Sequence, residues 1–406
     1  MKIVVAMDSF KGSLTAERAC TVVAESIASV APAAEIVIKP MADGGEGTAQ
    51  AMLAAQRPAQ RAAGNGQWIK KMVTGPLPGM RVCAGFAWFA YEKLAVVEMA
   101  TSSGLQLLPP QRRNPLKTTT YGTGQLMTAA MDYGAQRILL AVGGSATVDG
   151  GTGAAVAMGW KFLGKDGKEV GLGGGRLIQI DRIIPPPSSS SIVHRPSSIA
   201  SRETRDETRG TPCIEVLCDV DNSLCGEQGA AKVYGPQKGA TQEMVEVLEA
   251  GLEHLAELVR RQLGCDVRNL PGAGAAGGLA AGAVAFMGAK LVRGIETVIS
   301  WSRLGQEIAG ADWVITGEGC FDEQSLRGKV VSGVARAAKN AGAKVAVLAG
   351  QVLLTGQEYR SLGVVDAFVC MNGRMPLEHA MRNGEKLLAK AARDFALKYL
   401  RPSARA

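Results

Sequence analysis

The sequence predicts an α/β protein whose two chain ends build one parallel-sheet domain, with a second α/β domain inserted between them. Three observations carry this prediction. Short apolar runs alternate with helical stretches at both ends of the chain, two closely joined strands break that rhythm after about Gly66, and 406 residues exceed what one hydrophobic core usually serves.

The opening run Lys2-Ile-Val-Val-Ala reads as a buried strand that ends in a polar loop, Asp8-Ser-Phe-Lys-Gly-Ser. Behind a Ser13/Thr15 cap, Ala16, Ala19, Val22, Val23, Ile27 and Val30 recur at three- and four-residue steps, which predicts a helix stopping near Pro32. A second strand, Glu35 to Lys39, leads into Met41-Ala-Asp-Gly-Gly-Glu-Gly-Thr48 and a short helix, and this order predicts parallel pairing. Arg81 to Ala90 and Leu94 to Ala100, separated only by Tyr91-Glu-Lys93, predict an antiparallel pair in the inserted domain. Further strands are expected at Arg137 to Val142 and Cys213 to Cys218, each running into a polar loop. Parallel-type units return at Asp312 to Thr316, Lys344 to Ala349 and Asp366 to Cys370. The expected domains are therefore 1–66 with 290–406, and 67–289. Within the latter, residues 183–211 hold a proline run, a serine run and mixed charges without apolar periodicity, which predicts a disordered surface insertion.

Composition excludes several classes of function. The eight cysteines are scattered without a CxxC pair or a histidine at zinc-finger spacing, so neither a disulfide framework nor a structural metal is expected. Too few residues precede Met7-Asp8 for the apolar core of a secretory signal, which predicts a cytoplasmic protein with free thiols. The uncharged run Gly272 to Ala289 is long enough for a membrane span but consists largely of Gly and Ala, so a buried loop and helix is expected and no membrane partner. Net charge is +8 with both signs interspersed, and only five Trp, six Tyr and eight Phe are present, which argues against nucleic acid. A mildly basic chain does suit anionic ligands.

No GxxxxGK[ST] loop, GxSxG elbow, HExxH or HRD is present. His194, His254 and His379 are read as surface or core residues. What remains is a supply of Asp, Glu and Lys inside glycine loops, which suits phosphoryl transfer: glycines let backbone N–H groups approach phosphate, lysines neutralise charge, and carboxylates hold magnesium or orient a hydroxyl. Each loop taken singly reads equally well as an ordinary turn, and Asp8 and Asp43 as helix caps. Gly272-Ala-Gly-Ala-Ala-Gly277 matches GxGxxG, but Pro271 stands where a strand should end, so close helix packing is the stronger reading.

Taken together, Asp8-Ser-Phe-Lys-Gly-Ser, Met41-Ala-Asp-Gly-Gly-Glu-Gly-Thr, Val142-Gly-Gly-Ser-Ala-Thr, Gly235-Pro-Gln-Lys-Gly-Ala, Gly272-Ala-Gly-Ala-Ala-Gly-Gly and Thr316-Gly-Glu-Gly resemble the bacterial-type glycerate kinases in order and spacing, over nearly the whole chain. The resemblance implies a Rossmann-like domain formed by both chain ends, and transfer of the ATP γ-phosphoryl group to D-glycerate to give 2-phosphoglycerate and ADP. Two departures stand out: the 183–211 insertion, and Ser223 where the family usually has proline. On this reading Asp43 orients the attacking hydroxyl, with Asp8 and Lys11 beside it. Ser13, Gly143, Gly144, Ser145, Thr147 and Lys238 are expected to contact phosphate or carboxylate. Ser325 and Lys329 are expected near the nucleotide. Glu318 with Asp322, or alternatively Asp219 with Asp221, would hold Mg2+. A non-catalytic nucleotide or metabolite sensor on the same scaffold and a dinucleotide-dependent oxidoreductase are the alternatives, and a homo-oligomer is left open.

Overall fold

The structure, a computed structural model, describes residues 1–56, 61–187, 212–326, 328–371, 373 and 375–401. It divides into two compact units. The first comprises Met1–Asp43, Gln50–Ala59 and Arg293–Ala406, and the second comprises Gly44–Ala49 and Gln60–Val292. Gly44–Ala49 belongs to the second unit, where a Cβ on Gly44 would lie 2.7 Å from Leu217 Cβ, and the chain passes to that unit again at Gln60. The return falls at Arg293 rather than 290, because Lys290–Val292 still pairs as a strand with Cys213–Leu217.

The first unit is built on a five-stranded sheet in the order Val364–Val369, Lys344–Ala349, Trp313–Gly317, Lys2–Met7, Glu35–Ile38, every pair parallel. Central strands of such a sheet are covered on both faces, which is why polar–apolar alternation is missing and Ile3 to Met7 is a continuous apolar run, entirely buried. On one face Ile3, Val5, Met7, Ile315 and Leu348 pack with the helices Ala16–Ala28 and Gly384–Tyr399 through Val23, Ile27, Leu388 and Phe395. The helix Val330–Asn340 packs against Trp313–Gly317 and Lys344–Ala349. Each large apolar side chain so buried stabilises the unit by about 1.5–3 kcal/mol. Thr15 caps the first helix by accepting from Arg18 N at 3.2 Å.

The second unit carries a six-stranded mixed sheet in the order Lys290–Val292, Cys213–Leu217, Arg137–Ala141, Leu94–Glu98, Arg81–Phe89, Gly66–Thr74. Its first four strands are parallel, and the last two pairings are antiparallel. The helix Ala275–Met287 is buried along most of its length, and among the described residues no helix is long and apolar enough to cross a membrane. Its glycines serve packing: a Cβ on Gly277 would lie 1.9 Å from Thr147 O, and Gly150 N donates to Gly277 O at 3.0 Å. The segment expected to be disordered starts too early at 183. Arg182–Ile184 forms an antiparallel strand against Lys161–Leu163, because its inward-facing Ile183 packs into the core while Arg182 and Ile184 stay at the surface. Residues 188–211 of that segment lie outside the described residues.

Candidate active site

In a parallel sheet every strand delivers its following loop to the same edge, and ligands sit there where the strand order reverses direction. In the first unit that reversal lies between Lys2–Met7 and Trp313–Gly317: the chain steps outward to Glu35–Ile38 on one side and to Lys344–Ala349 and Val364–Val369 on the other. A cavity of about 480 Å³ opens at this edge. It receives Asp8 after the first strand, Asp43 after the second, Glu318 after Trp313–Gly317, Gly350 after Lys344–Ala349, and Met371 after Val364–Val369. Lys11, Ser13, Asp322 and Lys329 line it too. The sheet is tight at this edge. A Cβ on Gly317 would stand 1.8 Å from Leu348 O, so only glycine lets Glu318 leave its strand at this point.

Three strand-end carboxylates and two lysines thus share one cavity. Asp8 is buried, and Ser9 N donates to its Oδ1 at 2.6 Å. Burial, reinforced by the negative charge of Asp43 and then of Glu318, pushes its carboxyl up to about 8, so at neutral pH it holds a proton. Burial also raises Glu318, against the opposing hydrogen bond of Ser325 and the charge of Lys329. Its Oε1 is buried and has no hydrogen-bond partner among the described residues. A buried carboxylate oxygen without a donor is costly, and a bound cation would satisfy it.

Other predicted side chains in the first unit have protein partners. Ser13 Oγ donates to Met381 O at 2.8 Å, tying the Asp8–Ser13 loop to the helix Leu377–Arg382. Asp322 Oδ1 accepts from Gln324 N at 2.9 Å and Ser325 N at 3.3 Å, capping a turn of 3-10 helix. Ser325 is fully buried and donates to Cys320 O at 3.4 Å. Lys329 Nζ donates to Gln324 Oε1 at 3.1 Å.

The remaining predicted residues belong to the second unit. Gly143, Gly144, Ser145 and Thr147 follow the strand Arg137–Ala141, with Gly144 O accepting from Leu105 N at 2.8 Å and Thr147 fully buried. Lys238 is buried, and its Nζ donates to Thr147 O at 2.8 Å. Burial lowers this ammonium to about 7, with Asp149 opposing. Asp149 in turn accepts from Thr120 N at 2.7 Å and Thr120 Oγ1 at 2.9 Å, so this group braces the glycine loop from beneath. Asp219, half-buried, and Asp221, exposed, follow Cys213–Leu217.

Sequence reasoning missed two sets of residues. Glu98 is buried at the end of its strand and accepts from Ala49 N at 2.6 Å and Gly47 N at 3.3 Å, which fixes the glycine loop that follows Asp43; burial pushes its carboxyl up to about 7. A lone acid ending the apolar run Leu94–Val97 was the available signal. The apolar lining of the cavity, Met371, Leu377, Ala380, Met381 and Leu387, carried no motif at all.

A parallel α/β sheet that brings carboxylates and lysines together at its switch point is chemically suited to phosphoryl transfer. The chain belongs to the glycerate kinase family, whose sequence profile it matches over residues 3–400. It is 43% identical over 398 residues to a protein of Halalkalibacterium halodurans named glycerate kinase, covering 97% of each chain. It is 40% identical to a protein of Escherichia coli K12 named glycerate 2-kinase, covering 98% of this chain and 97% of that one. A crystal structure from Salmonella typhimurium LT2 assigned to glycerate kinase 2 superposes with a TM-score of 0.80 at 39% identity, over 98% of both chains.

Proposed function

We propose that the protein transfers the γ-phosphoryl group of ATP to a hydroxyl of D-glycerate, giving 2-phosphoglycerate and ADP, with Mg2+ as the metal. The observation that carries this reading is the convergence of Asp8, Asp43, Glu318, Lys11 and Lys329 on one cavity in a chain of the glycerate kinase family. Phosphoryl transfer needs positioning and charge compensation rather than a covalent nucleophile, and these groups supply both.

The Asp43 carboxylate accepts the proton of the attacking hydroxyl as the oxygen closes on the γ-phosphorus, and ADP leaves with the bridging oxygen's electron pair. Asp8, kept protonated by its burial and by Asp43, donates a hydrogen bond to the substrate instead of repelling its carboxylate. Lys11 and Lys329 offset charge on the transferred group. Glu318, with its unpartnered Oε1, suits a hard cation. Mg2+ keeps waters and substrate phosphates as ligands and needs only one or two carboxylates, which Glu318 could help supply. When bound, Mg2+ would neutralise charge on the β- and γ-phosphates.

The direct test supplies purified protein with D-glycerate, ATP and Mg2+, and follows ADP release and the phosphorus NMR spectrum. Stoichiometric ADP and a signal for phosphate on the second carbon are expected. Intact ATP alongside turnover of a nicotinamide cofactor would sink the reading in favour of an oxidoreductase, and nucleotide binding without turnover would favour a sensor.

A further inference from the structure

We infer that the apolar wall built by Met371, Leu377, Ala380, Met381 and Leu387 is the seat of the nucleotide's purine base, with its phosphates directed toward Lys11 and Lys329. This rests on the kinase reading above and adds to it a binding subsite on the C-terminal helices.

Size is the first argument. A cavity of about 480 Å³ is of the class that encloses drug-sized ligands, and a three-carbon acid fills a small part of it. Composition is the second. One part of the lining is acidic and basic, whereas the part supplied by the loop after Val364–Val369 and by the helices Leu377–Arg382 and Gly384–Tyr399 presents methyl groups and thioethers. Leu377 is 62% exposed and Met381 37% exposed, large apolar side chains left uncovered beside a cavity. Flexible thioethers and branched aliphatics are the lining that grips a flat ring from its faces.

Spacing is the third argument. Val364–Val369, which delivers Met371, lies two strands away from Trp313–Gly317, which delivers Glu318. Two strand spacings amount to about 10 Å. That separation matches the reach of a ribose and its phosphates, and it exceeds a glycerate molecule. The hydrogen bond from Ser13 Oγ to Met381 O then has a purpose: it ties the base-gripping helix to the loop that carries Lys11, so that base and phosphates are held in one register. Ser13 acts here as a positioning residue.

The test measures binding of ADP and of inorganic tripolyphosphate by calorimetry, together with KM for ATP and for D-glycerate, on the full chain and on its Leu377→Ala and Met381→Ala variants. Leu353→Ala serves as a control, since Leu353 is at least as exposed as either wall residue and is not among the residues that line the cavity. Each wall variant should weaken ADP binding and raise KM for ATP about tenfold, the order expected for removing one apolar contact, while tripolyphosphate binding and KM for D-glycerate stay within about twofold. Wall variants with unchanged ADP affinity would overturn the subsite and leave the kinase reading standing. So would an equal loss for tripolyphosphate or D-glycerate. A wild-type protein that neither binds ADP nor phosphorylates D-glycerate would remove the kinase reading, and the subsite with it.

Discussion

Asp8 and Glu318 leave adjacent parallel strands side by side, the Asp8 backbone N–H donating to Gly317 O at 2.9 Å. Two acids are thereby fixed at the one place in the sheet where the strand order turns back. Burial raises both carboxyls, and of the two only Glu318 is left with a buried oxygen lacking a hydrogen-bond partner among the described residues.

Glu318→Gln should therefore disturb metal dependence before anything else. Gln fills the same volume and can accept from the same neighbours, but it offers a cation no charge. The Mg2+ concentration needed for half-maximal turnover should rise by about 10–100-fold, the scale seen when groups around a metal are altered, with kcat at saturating Mg2+ falling less. An unchanged Mg2+ titration would take Glu318 out of metal binding and shift attention to Asp219 and Asp221.

Glu98 gives a pH-dependent prediction. Its folded carboxyl, pushed by burial to about 7, lies above the ordinary glutamate value of 4.5. A group raised on folding contributes stability that is fully present below its unfolded value and is lost as pH rises through its folded one. Between pH 4.5 and about 7 the wild type should lose stability relative to Glu98→Gln, which cannot ionise and can still accept from Ala49 N. Paired thermal unfolding curves, one on the acid side of that window and one on the alkaline side, check this. A Tm difference that does not change with pH would mean that folding leaves the Glu98 carboxyl unshifted.

The parts of this molecule that were legible in the sequence are those set by short-range rules. The buried run Ile3 to Met7 and the strand Lys344–Ala349 are largely apolar because both faces are covered, and the capped helix Ala16–Ala28 shows its spacing directly. The antiparallel turn between Arg81–Phe89 and Leu94–Glu98 is equally local. Glycine-flanked Asp43, Lys11 and Glu318, and Asp8 at its strand end, stood out because polar residues there are exceptions to that pattern. What the sequence hid depends on distance along the chain. The cavity joins Asp8 to Ala380 and Met381, and nothing local marks Leu377 or Met381 as lining rather than core. Burial of Lys238 was hidden for the same reason: a lysine beside a glycine looks like a loop cation until Thr147 O is found above it.

Asp43 carries the sharpest catalytic prediction. It ends the loop after Glu35–Ile38, lines the cavity, and stands close enough to Asp8 for its charge to be the largest contribution after burial to the rise of that carboxyl. Two acids so placed divide the labour: Asp8, which keeps its proton, can donate, and the neighbouring carboxylate can accept the proton of the attacking hydroxyl. Asp43→Asn preserves shape while removing the acceptor, so kcat should fall by roughly 10²-fold or more, the usual scale for a general base, with KM for ATP little changed. The same substitution should also bring Asp8 down toward the ordinary aspartate range, since a negative neighbour has gone. If Asp43 served only to cap the short helix Thr48–Ala54 or its approach, Asn would replace it with almost no loss, because Asn caps nearly as well as Asp. Measuring kcat and KM for both substrates in Asp43→Asn separates the two cases: near-wild-type turnover would exclude Asp43 as the base and make Asp8 the next carboxylate to substitute.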